Sequence, residues 1–159
     1  MTGNLVFIHG LESSSQGNKG SFFKKRYPSM IIEDFSGTLE NRMNKLNRLL
    51  RGKSNLILVG SSFGGLMAAI YACSNSAAIR KLILLAPALD LDDFKPFLEC
   101  KLDIPTVIFH SRNDEVVPIE PVQIIAKRIF LNLTFNVVED DHPLSSVFPA
   151  IKWDGLLKF

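Results

Sequence analysis

The sequence predicts a doubly wound α/β domain: a mostly parallel sheet of about six strands with helices on both faces. Two observations carry this. Six short apolar runs rich in β-branched and aromatic residues recur along the chain, and stretches with helical spacing separate them. The runs are continuously apolar instead of alternating, as strands are when crossover helices cover both faces of a parallel sheet.

In chain order, Leu5 to Ile8, Met30 to Ile32, Leu56 to Val59, Leu82 to Leu85, Thr106 to Phe109 and Leu133 to Val138 read as strands. Leu39 to Leu50 reads as a helix, with Leu39, Met43, Leu46, Leu49 and Leu50 on one face. Phe63 to Cys73, Pro121 to Phe130 and Leu144 to Leu157 read the same way. No repeat, low-complexity tract or linker interrupts the pattern, so the 159 residues are expected to form one domain, 1–159. A chain of this size buries about 70% of its unfolded surface. With 47% hydrophobic and 21% charged residues, disorder and collagen-like repeats are excluded.

Eighteen Lys and Arg against sixteen Asp and Glu give a net charge of +2, too small and too evenly spread to point to nucleic acid or a membrane surface. No apolar segment approaches the roughly 18 residues of a membrane span, and the first strand lacks the basic flank of a signal peptide. Cys73 lies in an Ala-rich helical segment and Cys100 in a charged stretch, a spacing unlike a disulfide framework. Cys73 is expected to be a small core residue, Cys100 a loop thiol, and the protein cytoplasmic.

In open parallel sheets the chemistry sits in loops at the carboxyl ends of the strands. After the third run comes Gly60-Ser61-Ser62-Phe63-Gly64-Gly65, a Gly-x-Ser-x-Gly string between a buried-type strand and a small-residue helix. That is the context of a nucleophile elbow, where a strained serine backbone lifts Oγ off the sheet and larger neighbours two positions away would clash. A serine-capped glycine turn is the bland alternative.

A nucleophilic serine needs a base, and the chain holds His9, His110 and His142, each following an apolar run. His110 is the first residue past a strand and is expected to pack or to brace its loop. His142, on the loop Glu139-Asp140-Asp141-His142-Pro143, has the reach and is the choice. The orienting acid is sought after the fifth strand, where Asp114 is the candidate and Glu115 the near alternative. Asp140 and Asp141 would have to fold back to serve.

On these residues the chain resembles the α/β-hydrolase superfamily, and within it the short, nearly lidless bacterial serine esterases. The match spans essentially the whole chain. Gly60 to Gly65 resembles the elbow, Asp141-His142 the histidine loop, and His110-Ser111-x-x-Asp114-x-Val116-Val117-Pro118 the acid loop, with Ser111 where glycine is common. His9-Gly10-Leu11 resembles the oxyanion loop, which implies backbone N–H donors at Leu11 and Phe63. Asp34-Phe35-Ser36-Gly37 resembles a structural turn of the family. The family's first two strands have no counterpart here, and 86–105, where larger relatives insert a cap, has room for at most a short helix with Leu91, Phe94 and Leu98 as its stripe.

The resemblance implies a Ser62-His142-Asp114 hydrolase of a small-molecule acyl ester or thioester. No cofactor is expected, and no metal-ligand spacing is present. A peptidase or amidase of the same fold, or a non-catalytic binding protein that keeps it, are the alternatives.

Overall fold

A computed structural model describes residues 3–159. Six strands, β1 (Asn4–Ile8), β2 (Ile31–Ile32), β3 (Leu56–Ser61), β4 (Ile79–Leu85), β5 (Thr106–Ser111) and β6 (Leu133–Val138), form one sheet in the order β2-β1-β3-β4-β5-β6. Every neighbouring pair is parallel. The order reverses between β1 and β3, so the loops after these two strands open the crevice at the carboxyl edge of the sheet.

The inner apolar runs, β1, β3, β4 and β5, are strands with both faces covered, whereas the edge strands β2 and β6 are only partly buried. On one side α2 (Leu39–Leu50), α3 (Phe63–Ser74) and α4 (Ile119–Ile129) pack onto Val6, Ile8, Leu56, Leu58, Leu82, Leu84 and Ile108. On the other, α1 (Asn18–Arg26), α5 (Val147–Ala150) and α6 (Trp153–Leu156) cover Phe7, Ile57, Val59, Ile83 and Leu85. Phe23, Phe148 and Trp153 meet there edge to face or tilted, with centroids 4.9–5.4 Å apart. Helix α3, between the sheet and α2, is buried over Gly64 to Ala72, which explains its small residues.

The α2 boundaries are the predicted ones, fixed by Thr38, whose Oγ1 accepts from Asn41 N at 3.1 Å. The predicted helix from Leu144 to Leu157 is instead two short ones, because Pro149 brings no N–H to the ladder and Ile151 is extended at φ −65°, ψ 138°. Residues 92–97 form the expected short helix, of 3-10 type, whose Phe94 is wholly buried against the α3 side of the core.

Cys73 and Cys100 are joined as a disulfide, with Cα atoms 6.0 Å apart, correcting the reading of two unrelated thiols. Separation in sequence misled that reading: the α3 C-terminus and the segment after the 3-10 helix lie on the same side of the sheet. A bridge closing a loop of 27 residues stabilises by about 3.5 kcal/mol in the chain-entropy account. Reduction is therefore expected to lower unfolding free energy by up to that amount. Denaturant titrations with and without a thiol reductant, and on Cys73→Ser, measure it; unchanged midpoints would contradict it.

Candidate functional site

The turn from β3 into α3 holds Ser62 at φ 54°, ψ −113°, a conformation that costs a non-glycine residue about 1–3 kcal/mol. The turn is locked from the neighbouring strand. Ser62 N donates to Leu85 O at 2.8 Å, and Ser62 O accepts from Ala88 N and Gly65 N, both at 3.0 Å. Glycine is required at two flanking positions by contact. A Cβ on Gly60 would strike the Gly64 carbonyl, and one on Gly64 would strike the carbonyls of Ile8 and His9 at the end of β1. Gly10 lies against the elbow from the β1 loop, where a Cβ would be 3.5 Å from that of Ser62.

His142 comes over Ser62 from the loop after β6. Its Nε2 is 3.0 Å from Ser62 Oγ, and its Nδ1 is 2.6 Å from Asp114 Oδ2. The Asp114 side chain is fully shielded from solvent and the imidazole is 18% exposed. Asp114 Oδ1 accepts from the backbone N–H of Val116 (2.8 Å) and Val117 (2.7 Å), which fixes the carboxylate plane. A hydroxyl, an imidazole and a buried carboxylate thus form one hydrogen-bonded chain across three loops. Glu115, the near alternative, is exposed beside it.

The remaining candidates have other partners. Asp140 and Asp141 face their own loop: Asp140 Oδ2 accepts from Ser146 N and Val147 N, and Asp141 accepts from Ser145 N and Oγ. The Ser145 hydroxyl holds the Asp141 carboxyl below its ordinary range. These bonds and the buried Leu144 side chain sustain a left-handed Leu144 at φ 57°. Lys19 of α1 donates to Pro143 O at 2.6 Å, next to His142, and burial lowers its ammonium against the pull of Asp141 and Asp140.

His9 is buried, with Nε2 accepting from Phe35 N at 2.9 Å and Nδ1 2.6 Å from Gly10 O. It ties the β1 loop to the Asp34–Gly37 turn. Leu11 is half-exposed on that loop, and Phe63 is the first residue of α3, where backbone N–H groups lack intrahelical acceptors.

His110 is wholly buried and donates Nε2–H to Val117 O at 2.8 Å, with Asp114 Oδ2 3.5 Å away. Burial pushes its imidazole below the ordinary 6.5, against the opposing pull of the Val117 carbonyl and Asp114; His142 and Asp90 are the other charged groups acting on it. The native state therefore binds this proton less readily than the unfolded chain. The stability this group contributes is complete above about pH 6.5 and is lost as pH falls through the lower native value. Urea midpoints are expected to rise as pH is raised from the acid side toward about 6.5, and a His110→Gln variant to lose that component. An unaltered slope in the variant would contradict it.

A cavity of about 250 Å³ adjoins the histidine loop, between Lys19 and Phe22 of α1 and Pro143, Phe148 and Pro149. A larger one of about 790 Å³, lined by Asn55, Ile79, Lys81 and Pro105, lies at the amino ends of the strands, away from Ser62. Among the described residues no helix is long and apolar enough to cross a membrane, and no three His, Cys, Asp or Glu side chains are grouped to hold a metal.

A family model described as serine hydrolase matches residues 5–142. Among solved structures the chain is similar to a YdeN-like hydrolase from Pectobacterium atrosepticum, at 24% identity and TM-score 0.74, covering 97% of this chain and 86% of that one. It is also similar to the mouse alpha/beta hydrolase domain-containing protein 10 (19%, TM-score 0.77, 99% and 90% covered). Est1E from Butyrivibrio proteoclasticus is a third such fold (18%, TM-score 0.78, 98% and 87% covered). No curated protein sequence matches the chain.

Proposed function

The chain belongs to the serine hydrolase family, and we propose that it cleaves a carboxylic ester or thioester with Ser62 as nucleophile, His142 as base and Asp114 as orienting acid. The observation that carries this is the Ser62–His142–Asp114 hydrogen-bonded chain, at 3.0 and 2.6 Å, on a strained elbow.

In this reading Ser62 Oγ attacks the substrate carbonyl carbon while its proton passes to His142 Nε2. Charge develops on the carbonyl oxygen, and the backbone N–H groups of Leu11 and Phe63 receive it. Asp114 stabilises the imidazolium through Nδ1–H. Collapse breaks the bond to the leaving alkoxide or thiolate, which takes the proton from His142 and leaves an acyl group on Ser62. Water, deprotonated by His142, then attacks the acyl carbon, and the acid departs with Ser62 regenerated. The packing of Phe94 into the core fits a segment 86–105 that braces α3 and leaves the serine uncapped.

A fluorophosphonate probe tests the reading directly. Labelling that maps to Ser62, with turnover of p-nitrophenyl esters somewhere between acetate and palmitate, supports it. Folded protein that neither labels nor turns over any of them would refute it and favour a binding role.

A further inference from the structure

The loops that present Asp114 and His142 leave two neighbouring strands, β5 and β6, and one side chain stands between them. Ser111, the last residue of β5, is wholly buried and sits in register with Val138, the last residue of β6. Its hydroxyl donates to Asp140 O at 2.5 Å and accepts from Asp140 N at 3.1 Å and Asn113 N at 3.2 Å. A serine hydroxyl has one hydrogen to donate and two lone pairs, so every capacity is used. Two of these bonds hold the residue two positions before His142; the third holds the residue just before Asp114.

Resting on the triad reading, we propose that Ser111 is a positioning residue that sets the gap between the acid and histidine loops, and with it the Asp114–His142 hydrogen bond. The backbone alone does not fix that gap. The last contact of the β5–β6 ladder is Arg112 N to Val138 O at 2.8 Å, and among the described residues no backbone–backbone hydrogen bond joins the two loops beyond it. From Asp140 the constraint passes onward through its own carboxylate, whose Oδ1 accepts from Asp141 N at 2.8 Å and whose Oδ2 caps Ser146 and Val147. A glycine at 111 would leave Asp140 N, Asp140 O and Asn113 N without this partner.

The test is Ser111→Ala alone and in an Asp114→Asn background, read by fluorophosphonate labelling rate and by kcat and KM on p-nitrophenyl acetate. Alanine is expected to slow labelling and kcat by roughly 10- to 100-fold with KM little changed, since misplacement of the base penalises the reacting geometry and not substrate binding. With Asn at 114 the orienting bond is already lost, so the same substitution is expected to cost less than about threefold. An equal loss in both backgrounds, or a single variant within about twofold of wild type, would overturn the proposal. If Ser111→Ala does not fold, Ser111→Cys keeps the volume and a weak hydrogen-bonding group and is held to the same criteria. Wild-type protein that neither labels nor turns over would count against the hydrolase reading instead. In that case the proton resonance of the His142 Nδ1–H decides for Ser111: its loss in the variant supports the role, and its persistence overturns it.

Discussion

Ser62→Ala is expected to reduce turnover of activated esters by about 10⁴- to 10⁶-fold and to abolish labelling by fluorophosphonates. The size follows from what the substitution removes. Without Oγ there is no covalent intermediate, and His142 is left to activate water at a site shaped for a serine oxygen. Binding and the oxyanion donors remain, so some acceleration over solution is retained. Fold should survive, because among the described residues the side chain bonds only to His142, and the turn is held by the Ser62 backbone bonds to Leu85, Ala88 and Gly65. The left-handed backbone is strained for alanine as for serine, so neither gains. The ratio of kcat/KM for wild type and variant, measured beside their thermal midpoints, checks this; a variant within about tenfold of wild type would remove Ser62 from the chemistry.

A second substitution at the same turn separates geometry from chemistry. Gly64 has an ordinary helical backbone, yet a methyl group there meets the carbonyls of Ile8 and His9. The requirement is the closeness of α3 to the end of β1, and that closeness is what brings the Gly10 loop against Ser62.

Much of this is legible in the sequence. The inner strand runs are readable because burial on both faces demands continuous apolar residues, and each observed strand contains or overlaps its predicted run. Ser62 is readable because its elbow requires glycine two positions to either side, at Gly60 and Gly64, between a buried strand and a small-residue helix. Of helix α1 the sequence marks only the basic end, Lys24-Lys25-Arg26, as a solvated helix end, since Asn18-Lys19-Gly20-Ser21-Phe22-Phe23 pairs two aromatics side by side and shows no stripe; the packing of Phe23 on Phe7, Phe148 and Trp153 makes it amphipathic. The Leu144–Leu157 spacing recorded which residues face α1 and the sheet, and it did so through two helices instead of one. The Cys73–Cys100 bridge and the linking role of Ser111 depend on tertiary proximity and strand register, which local spacing does not encode. Ser111 did leave a trace, as the serine where the resembling family commonly has glycine.

Asp114→Asn is expected to lower kcat by about 10⁴-fold while leaving stability almost unaltered. The two oxygens of Asp114 have separate duties. Oδ1 accepts from Val116 N and Val117 N, and an Asn carbonyl in the same place accepts both, so the acid loop keeps its shape. Oδ2 accepts from His142 Nδ1–H, and an Asn amide there offers a donor in place of an acceptor. His142 must then present a lone pair at Nδ1, which puts its hydrogen on Nε2 and turns that atom from an acceptor of the Ser62 proton into a donor toward Ser62 Oγ. The imidazole is in place and in the wrong tautomer. Asp114→Ala is different in kind, because it also strips the two backbone donors of their acceptor and is expected to cost about 1–3 kcal/mol of stability besides. Comparing the two variants by urea unfolding and by ester turnover separates orientation from folding. Equal destabilisation by Asn and Ala, or turnover by Asp114→Asn within about tenfold of wild type, would show that the carboxylate serves the loop and not the histidine.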